Sequence, residues 1–235
     1  AAGQPAAGPA APVMTRREFL HNTLAVTPLF ALGISAGGIY TAQTEMAVRR
    51  HSLAIKGLPA PLNGLKIGQI SDTHLGPYFD LAKLDSVIKL MAREKPDLVV
   101  ITGDFADNLS MLRPAIDLIN NFQPTVPYGI YFCLGNHDYF RDIGLVRREF
   151  HHSRIVLLEN SSELIGPDRQ PFYLVGVDYP WADSYHAGVN VSVDKRRQSF
   201  AAAFREVPEA AFKVLIAHHP DFLIDGFKAK IPLTI

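Results

Sequence analysis

The run Gly129-Ile130-Tyr131-Phe132-Cys133-Leu134, followed at once by Gly135-Asn136-His137-Asp138, decides how this chain is read. An apolar β-type stretch stops abruptly at an amide, an imidazole and a carboxylate, and packing gives no reason for Asn-His-Asp in that place. Two upstream runs end in the same manner. Ile67-Gly68-Gln69-Ile70-Ser71 leads into Asp72-Thr73-His74, and Leu98-Val99-Val100-Ile101-Thr102 leads into Gly103-Asp104. The interval is 32 residues from Asp72 to Asp104 and 32 from Asp104 to Asn136. That length suits a strand, a crossover helix and a return to a parallel neighbour. Open α/β sheets place their sites beyond the ends of such strands. The pattern predicts an α/β enzyme whose metal site is built on strand tips.

Outward from these runs, the expected strands are 65–71, 98–102 and 128–134. Leu81, Leu84, Ile88 and Met91 recur at helical spacing, which predicts an amphipathic helix over 80–94 with Asp80 as its N-cap. Lys95-Pro96-Asp97 ends it. A second helix is expected around 112–120, with Pro114 confined to its first turn. Further on, the pattern predicts a helix over 142–150, short strands at 155–158 and 172–177, and a helix over 193–206. A last buried strand at 212–217 runs into His218-His219-Pro220-Asp221.

Charge is balanced, 23 basic residues against 23 acidic, so nothing favours a polyanionic partner and no nucleic acid is expected. The one cysteine, Cys133, lies inside the third apolar run and reads as a buried, inert thiol. Zinc-finger spacing is excluded, so a metal must be held by His, Asp, Asn or Glu.

The first 64 residues have a different character. Residues 1–13 lack the means to form a core and read as a disordered extension. Met14 is a candidate start. Thr15-Arg16-Arg17-Glu18-Phe19-Leu20 is followed by no charged residue until Glu45, the layout of an export signal or membrane anchor over 14–44. The paired arginines with Phe-Leu resemble a twin-arginine signal; a simple signal anchor is the alternative. The stretch 23–40 is 18 residues, just long enough to span a bilayer. Pro28, Gly33, Gly37 and Gly38 dilute it, which suits a signal better than a stable membrane helix. Ala36-Gly37-Gly38 is the nearest cleavage site, and both cleavage and retention stay open. In either case Arg16 and Arg17 stay on the cytoplasmic side. Residues 45–64 read as a linker broken by Pro59, Pro61 and Gly64, and 65–235 as the folded domain.

Asp72, His74, Asp104, Asn136 and His218 are the candidate metal ligands. Two apart on an extended segment, Asp72 and His74 point the same way. Asp104 has two oxygens and can bridge two ions, Asn136 offers a carbonyl oxygen, and His218 an imidazole nitrogen. Mixed oxygen and nitrogen donors suit Mn, Fe or Zn. Two divalent ions about 3.5–4 Å apart would serve phosphoryl transfer.

As a set these residues resemble the ordered signature of the calcineurin-like metallophosphoesterases: D-x-H, G-D-x-x-D, G-N-H-[DE], an isolated His, then G-H-x-H. The chain has Asp72-Thr73-His74, Gly103-Asp104-Phe105-Ala106-Asp107, Gly135-Asn136-His137-Asp138, and His218 within Ala217-His218-His219-Pro220, over residues 65–221. The resemblance implies a layered α-β-β-α sandwich with the metal site at the C-terminal ends of the core strands. It implies that Asp72 and His74 serve one ion, Asn136 and His218 the other, and that Asp104 bridges them. His137 becomes the catalytic non-ligand imidazole, with Asp138 orienting it. His219 is the alternative to His218. The implied reaction is hydrolysis of a phosphodiester or pyrophosphate by a metal-bridging hydroxide. A phosphomonoesterase or protein phosphatase of the same fold is the alternative. The leader and the Ala-His-x-Pro-Asp pattern further resemble bacterial exported or membrane-associated phosphodiesterases, some of which act on lipid-linked substrates such as UDP-diacylglucosamine. This implies a place at the outer face of the bacterial cytoplasmic membrane or in the periplasm. The G-H-x-H element is absent from the 235 residues, and 231–235 resembles the start of the strand that would carry it. A C-terminally incomplete domain with weak activity is therefore expected, a membrane-tethered non-catalytic homologue being the alternative.

Overall fold

The computed structural model describes residues 14–44, 46–168, 170–180 and 189–235. The proposed extension 1–13 lies outside them, as does residue 45. The chain divides into two compact units, Ala1–Ala47 and Val48–Ile235.

The first unit holds helix α1 (Arg16–Thr44). Thr15 and Glu18 cap it reciprocally: Glu18 N–H donates to Thr15 Oγ1 at 3.2 Å, and Thr15 N–H donates to Glu18 Oε2 at 2.9 Å. Pro28 and the glycines do not interrupt it. Thr23 and Thr27 bond back to the carbonyls of Phe19 and Thr23. Its segment Arg16–Gly38 is long and apolar enough to cross a membrane, a test that an N-terminal signal also passes.

The second unit contains two four-stranded sheets. The first is wholly parallel, in the order β1 (Ile67–Ile70), β2 (Leu98–Thr102), β3 (Ile130–Cys133), β4 (Val156–Leu157). Its connections carry α2 (Leu81–Glu94), α3 (Leu112–Phe122), the short α4 (Asn136–Phe140) and α5 (Ile143–His151). The second sheet is β5 (Ser161–Ile165), β6 (Phe172–Gly176), β7 (Lys213–Ile216) and β8 (Leu233–Thr234). There β5 is antiparallel to β6, and the remaining pairs are parallel. Helices α6 (Val189–Ala203) and α7 (Phe222–Lys228) belong to this half.

Strand alternation sorts the core into layers. Along β2, Val99 and Ile101 pack with Leu84, Ile88, Ile116 and Phe150 of the helices. Leu98 and Val100 turn the other way, toward Phe172, Leu174, Val214 and Ile216 of the second sheet. Both faces are covered, which is why β2 reads as an unbroken apolar run. On β7, Leu215 faces away from the inter-sheet layer, toward Ala203 and Phe222. The result is the α-β-β-α sandwich that the motifs implied. Cys133 is buried between the sheets, as expected.

Several local readings need correction. The linker is part of the domain near its end: Pro59 and Pro61 set a 3-10 turn that drives Leu62, 1% exposed, into the inter-sheet core beside Leu58. The edge strand β5 escaped the sequence pattern because Ser161, Ser162 and Glu163 lack an apolar run. Strands β1, β3 and β4 are each shorter at both ends than expected, whereas β2 spans 98–102 as read. Helix α6 starts at Val189 rather than 193. Helix α2 behaves as read, with the Asp80 carboxylate accepting from Lys83 N–H at 2.9 Å.

Candidate metal centre

The loop after β1 keeps pairing with the loop after β2 once the strands have ended. Asp72 N–H donates to Gly103 O at 3.2 Å, His74 N–H to Asp104 O at 3.0 Å, and Leu75 N–H to Phe105 O at 3.0 Å. The segment is not extended, contrary to the sequence expectation. Asp72, His74 and Asp104 all have positive φ, at 54°, 43° and 52°. Asp and His tolerate this left-handed region better than most residues, and such strain gathers at functional sites. The coiled loop, rather than a strand alternation, turns Asp72 and His74 to one place.

Close approach of loops explains the glycines. At Gly103, with φ +81°, a Cβ would lie 2.7 Å from both Gly135 N and His218 Nδ1; at Gly135 it would run into the Asp104 carboxylate. Glycine is needed where the loops carrying Asp104, Asn136 and His218 converge.

Asp104 is the centre of the site and only 3% exposed. Its Oδ2 lies 3.6 Å from His74 Nε2 and 3.5 Å from His218 Nε2, and its Oδ1 accepts from His137 N–H at 2.8 Å. Asp72 Oδ1 is 3.9 Å from His74 Nε2, and Asn136 Oδ1 is 3.1 Å from His218 Nε2. The five expected ligands thus come together. Two overlapping donor sets result, His74-Asp104-His137 and Asp72-Asp104-His218, each with ligand atoms within 4.8 Å of one another. His137 stands inside one set rather than apart from both. His219 belongs to neither; its Nδ1 accepts from Asp221 N–H at 3.3 Å and its ring packs on Tyr179.

The surrounding hydrogen bonds turn the imidazoles the right way for metal. His218 donates Nδ1–H to Thr102 O at 2.9 Å, which leaves its Nε2 lone pair facing Asp104 and Asn136. His74 Nδ1 faces Asp107 Oδ2 at 3.4 Å, again leaving Nε2 for the cluster. A ring nitrogen bound to a carbonyl or carboxylate, with the other free, is the usual arrangement of a metal-ligating histidine. Nitrogen and carboxylate donors around a shared oxygen fit a pair of divalent transition metals.

Two carboxylates differ from expectation. Asp138, read as the residue that orients His137, is 1% exposed and accepts only backbone N–H groups: Gly135 at 2.8 Å, Asp104 at 3.1 Å and Phe105 at 3.3 Å. It ties the two loops together, and burial pushes its pKa up to about 6 against those bonds. The partner of His137 is Asp107, whose Oδ1 lies 2.8 Å from His137 Nδ1 and 3.0 Å from Arg141 Nη2. Burial raises the Asp107 pKa, but the bonds from His137 and Arg141 outweigh it and hold the carboxyl below its ordinary range. Asp107 stood in the G-D-x-x-D motif without an assigned role; its place as the last carboxylate of that motif was the available signal.

Residues 65–227 match the Calcineurin-like phosphoesterase family, and the chain belongs to it. It is a family of hydrolases that act on phosphoric ester bonds. The chain is 34% identical over 146 residues to the Transmembrane protein with metallophosphoesterase domain of Danio rerio, a match covering 60% of this chain and 33% of that protein. It is 28% identical over 184 residues to Phosphodiesterase YaeI of Escherichia coli, covering 72% and 63%. It is 35% identical over 105 residues to UDP-2,3-diacylglucosamine pyrophosphatase LpxG of Chlamydia muridarum, covering 44% and 30%. The chain therefore spans less than two thirds of the length of each of these relatives.

Proposed function

We propose that residues 65–235 form the catalytic domain of a phosphoesterase that hydrolyses a phosphodiester or pyrophosphate bond, with Asp72, His74, Asp104, Asn136 and His218 holding two divalent ions. The observation that carries this reading is the single oxygen of Asp104 set between His74 Nε2 and His218 Nε2 at 3.6 and 3.5 Å. Divalent ions held there supply Lewis acidity, easing the ionisation of water and offsetting charge on the phosphoryl oxygens. The chain's own groups do the rest. Asp107 steadies His137 through Nδ1, leaving Nε2 to hand a proton to the departing oxygen. Asp138 keeps the Gly103-Asp104 and Gly135-Asn136 loops at fixed separation.

The names of the relatives YaeI and LpxG support a diester or pyrophosphate over a monoester, and LpxG makes a lipid-linked substrate the natural first candidate. The apolar helix α1 supports a role as signal or anchor, which would keep the domain at the outer face of the cytoplasmic membrane or in the periplasm. Arg16 and Arg17 favour export by the twin-arginine route. The test is hydrolysis of bis-p-nitrophenyl phosphate against p-nitrophenyl phosphate with added Mn²⁺, then with EDTA. Faster, EDTA-sensitive turnover of the diester is expected. Activity on the monoester alone, or activity indifferent to metal, would overturn the reading.

A further inference from the structure

The candidate ligands come from two different sheets. Asp72, His74, Asp104 and Asn136 follow β1, β2 and β3, whereas His218 follows β7. A site assembled this way depends on how the two strand ends are held against each other. The contact of His218 Nε2 with Asn136 Oδ1 crosses that gap at 3.1 Å. With the ring proton on Nδ1 facing Thr102 O, these two atoms meet as acceptors, so the contact suits a shared cation and does not itself tie the sheets together.

A second polar contact crosses from the same helix. Tyr139 lies on α4, three residues after Asn136 and so on the same helix face. Its hydroxyl donates to Asp178 Oδ2 at 2.5 Å. Asp178 follows β6, the strand paired with β7. Asp178 is fixed in turn: Oδ1 accepts from Tyr179 N–H at 2.7 Å, and its own N–H donates to Asn160 Oδ1 at 2.9 Å. The ring of Tyr179 borders His218, with centroids 6.2 Å apart. On the other side, the Tyr139 hydroxyl accepts from Arg147 Nη2 at 3.2 Å, and the guanidinium lies 5.6 Å from the Tyr139 ring centroid. Arg147 is itself held by Glu159, with Nε donating at 3.0 Å and Nη2 at 2.5 Å. None of these atoms belongs to either donor set, so metal loading leaves the chain of bonds intact.

We infer that Tyr139 and Asp178 are positioning residues of the metal centre: their hydrogen bond fixes α4, and with it Asn136 and His137, against the sheet that carries His218. The inference rests on the two-ion reading above. Without the bond, α4 can shift by a fraction of an ångström, and the ion shared by Asn136 and His218 suffers first. The ion beside Asp72 and His74 takes those two ligands and Asp104 from the loops after β1 and β2, and meets α4 only through His137, so it suffers less.

The test uses Mn²⁺ alone as probe, titrated into wild type, Tyr139→Phe, Asp178→Asn and the double variant, with spin-coupled pairs followed by electron paramagnetic resonance. Tyr139→Phe keeps the ring and deletes only the hydroxyl; Asp178→Asn attacks the bond from the other side should one variant fold poorly. Each single variant is expected to need about tenfold more Mn²⁺ to form the coupled pair, the scale of a hydrogen bond to a charged group. First-ion affinity should fall by less than second-ion affinity, and the double variant should be no worse than either single one. A wild type that takes up no Mn²⁺ overturns the two-ion reading and this inference with it. A wild type that loads a pair while the variants load identically overturns the inference alone. So does a weakening of both ions equally, or effects of the two substitutions that simply add.

Discussion

Asp107 Oδ1 lies 2.8 Å from His137 Nδ1, and through its other oxygen the same carboxylate faces His74. One side chain thus orients an expected ligand and the expected proton donor. Asp107→Asn should lower turnover about 10–100-fold, as loss of a partner behind a metal ligand does. Replacing His137 by Ala should lower turnover of poor leaving groups by roughly 10²–10⁴-fold while leaving metal content nearly intact. Steady-state kinetics on a diester, paired with metal analysis of each purified variant, separates the two. Loss of metal from the His137 variant would place that imidazole among the ligands, as its membership of one donor set allows.

Gly103 should tolerate no side chain. Its φ is +81°, and a Cβ would crowd Gly135 N and His218 Nδ1 at 2.7 Å. Gly103→Ala is expected to separate the loops carrying Asp104 and His218 and to abolish paired metal binding. Far-ultraviolet circular dichroism should change little, because the sheets lie beneath the loop. Calorimetric titration with Mn²⁺ checks it.

Phe150 on α5 is fully buried and stacks on Phe132 of β3, with ring centroids 4.1 Å apart and planes 10° from parallel. Phe150→Ala should cost about 3–5 kcal/mol, the range for an aromatic deleted from a tight core. That is a large share of a typical domain's stability. A shift of the urea midpoint, with the slope unchanged, is the expected measurement.

Asp178 supplies a pH dependence. Burial raises its pKa from 3.8 to about 6, against the lowering effect of the Tyr139 hydrogen bond, with Glu159 adding to the rise and Arg147 opposing it. A carboxyl with a raised folded pKa holds its proton more tightly folded than unfolded. Its contribution is therefore full below the unfolded value and is lost as pH rises through about 6. The melting temperature of metal-free wild type minus that of Asp178→Asn should accordingly fall between about pH 4 and pH 7. A difference flat across that window would mean the folded carboxyl titrates as the unfolded one does.

The first sheet was legible because its central strands β2 and β3 are covered on both faces: Leu98 to Ile101 is apolar throughout, and each such run stops where the chemistry begins. The edge strand β5 was hidden by the polar residues its position allows, and Leu62 by the prolines around it, which read as breakers yet shape the turn that buries it. Asp72, Asp104 and Asn136 could be singled out as candidate ligands because they follow apolar runs directly. The geometry behind them could not. Positive φ at Asp72, His74 and Asp104 accompanies hydrogen bonds between two loops, and that Asp107 rather than Asp138 partners His137 depends on which carboxylate the fold buries. Tyr139 and Asp178 meet only because two sheets stack.

The central claim is that Asp104 serves two ions at once. Crystals of the protein grown with Mn²⁺ and measured for anomalous scattering test it most directly. Two anomalous peaks about 3.5–4 Å apart are expected, both within coordination distance of the Asp104 carboxylate, one beside His74 and the other beside His218. A single peak, or two peaks that do not share Asp104, would contradict it.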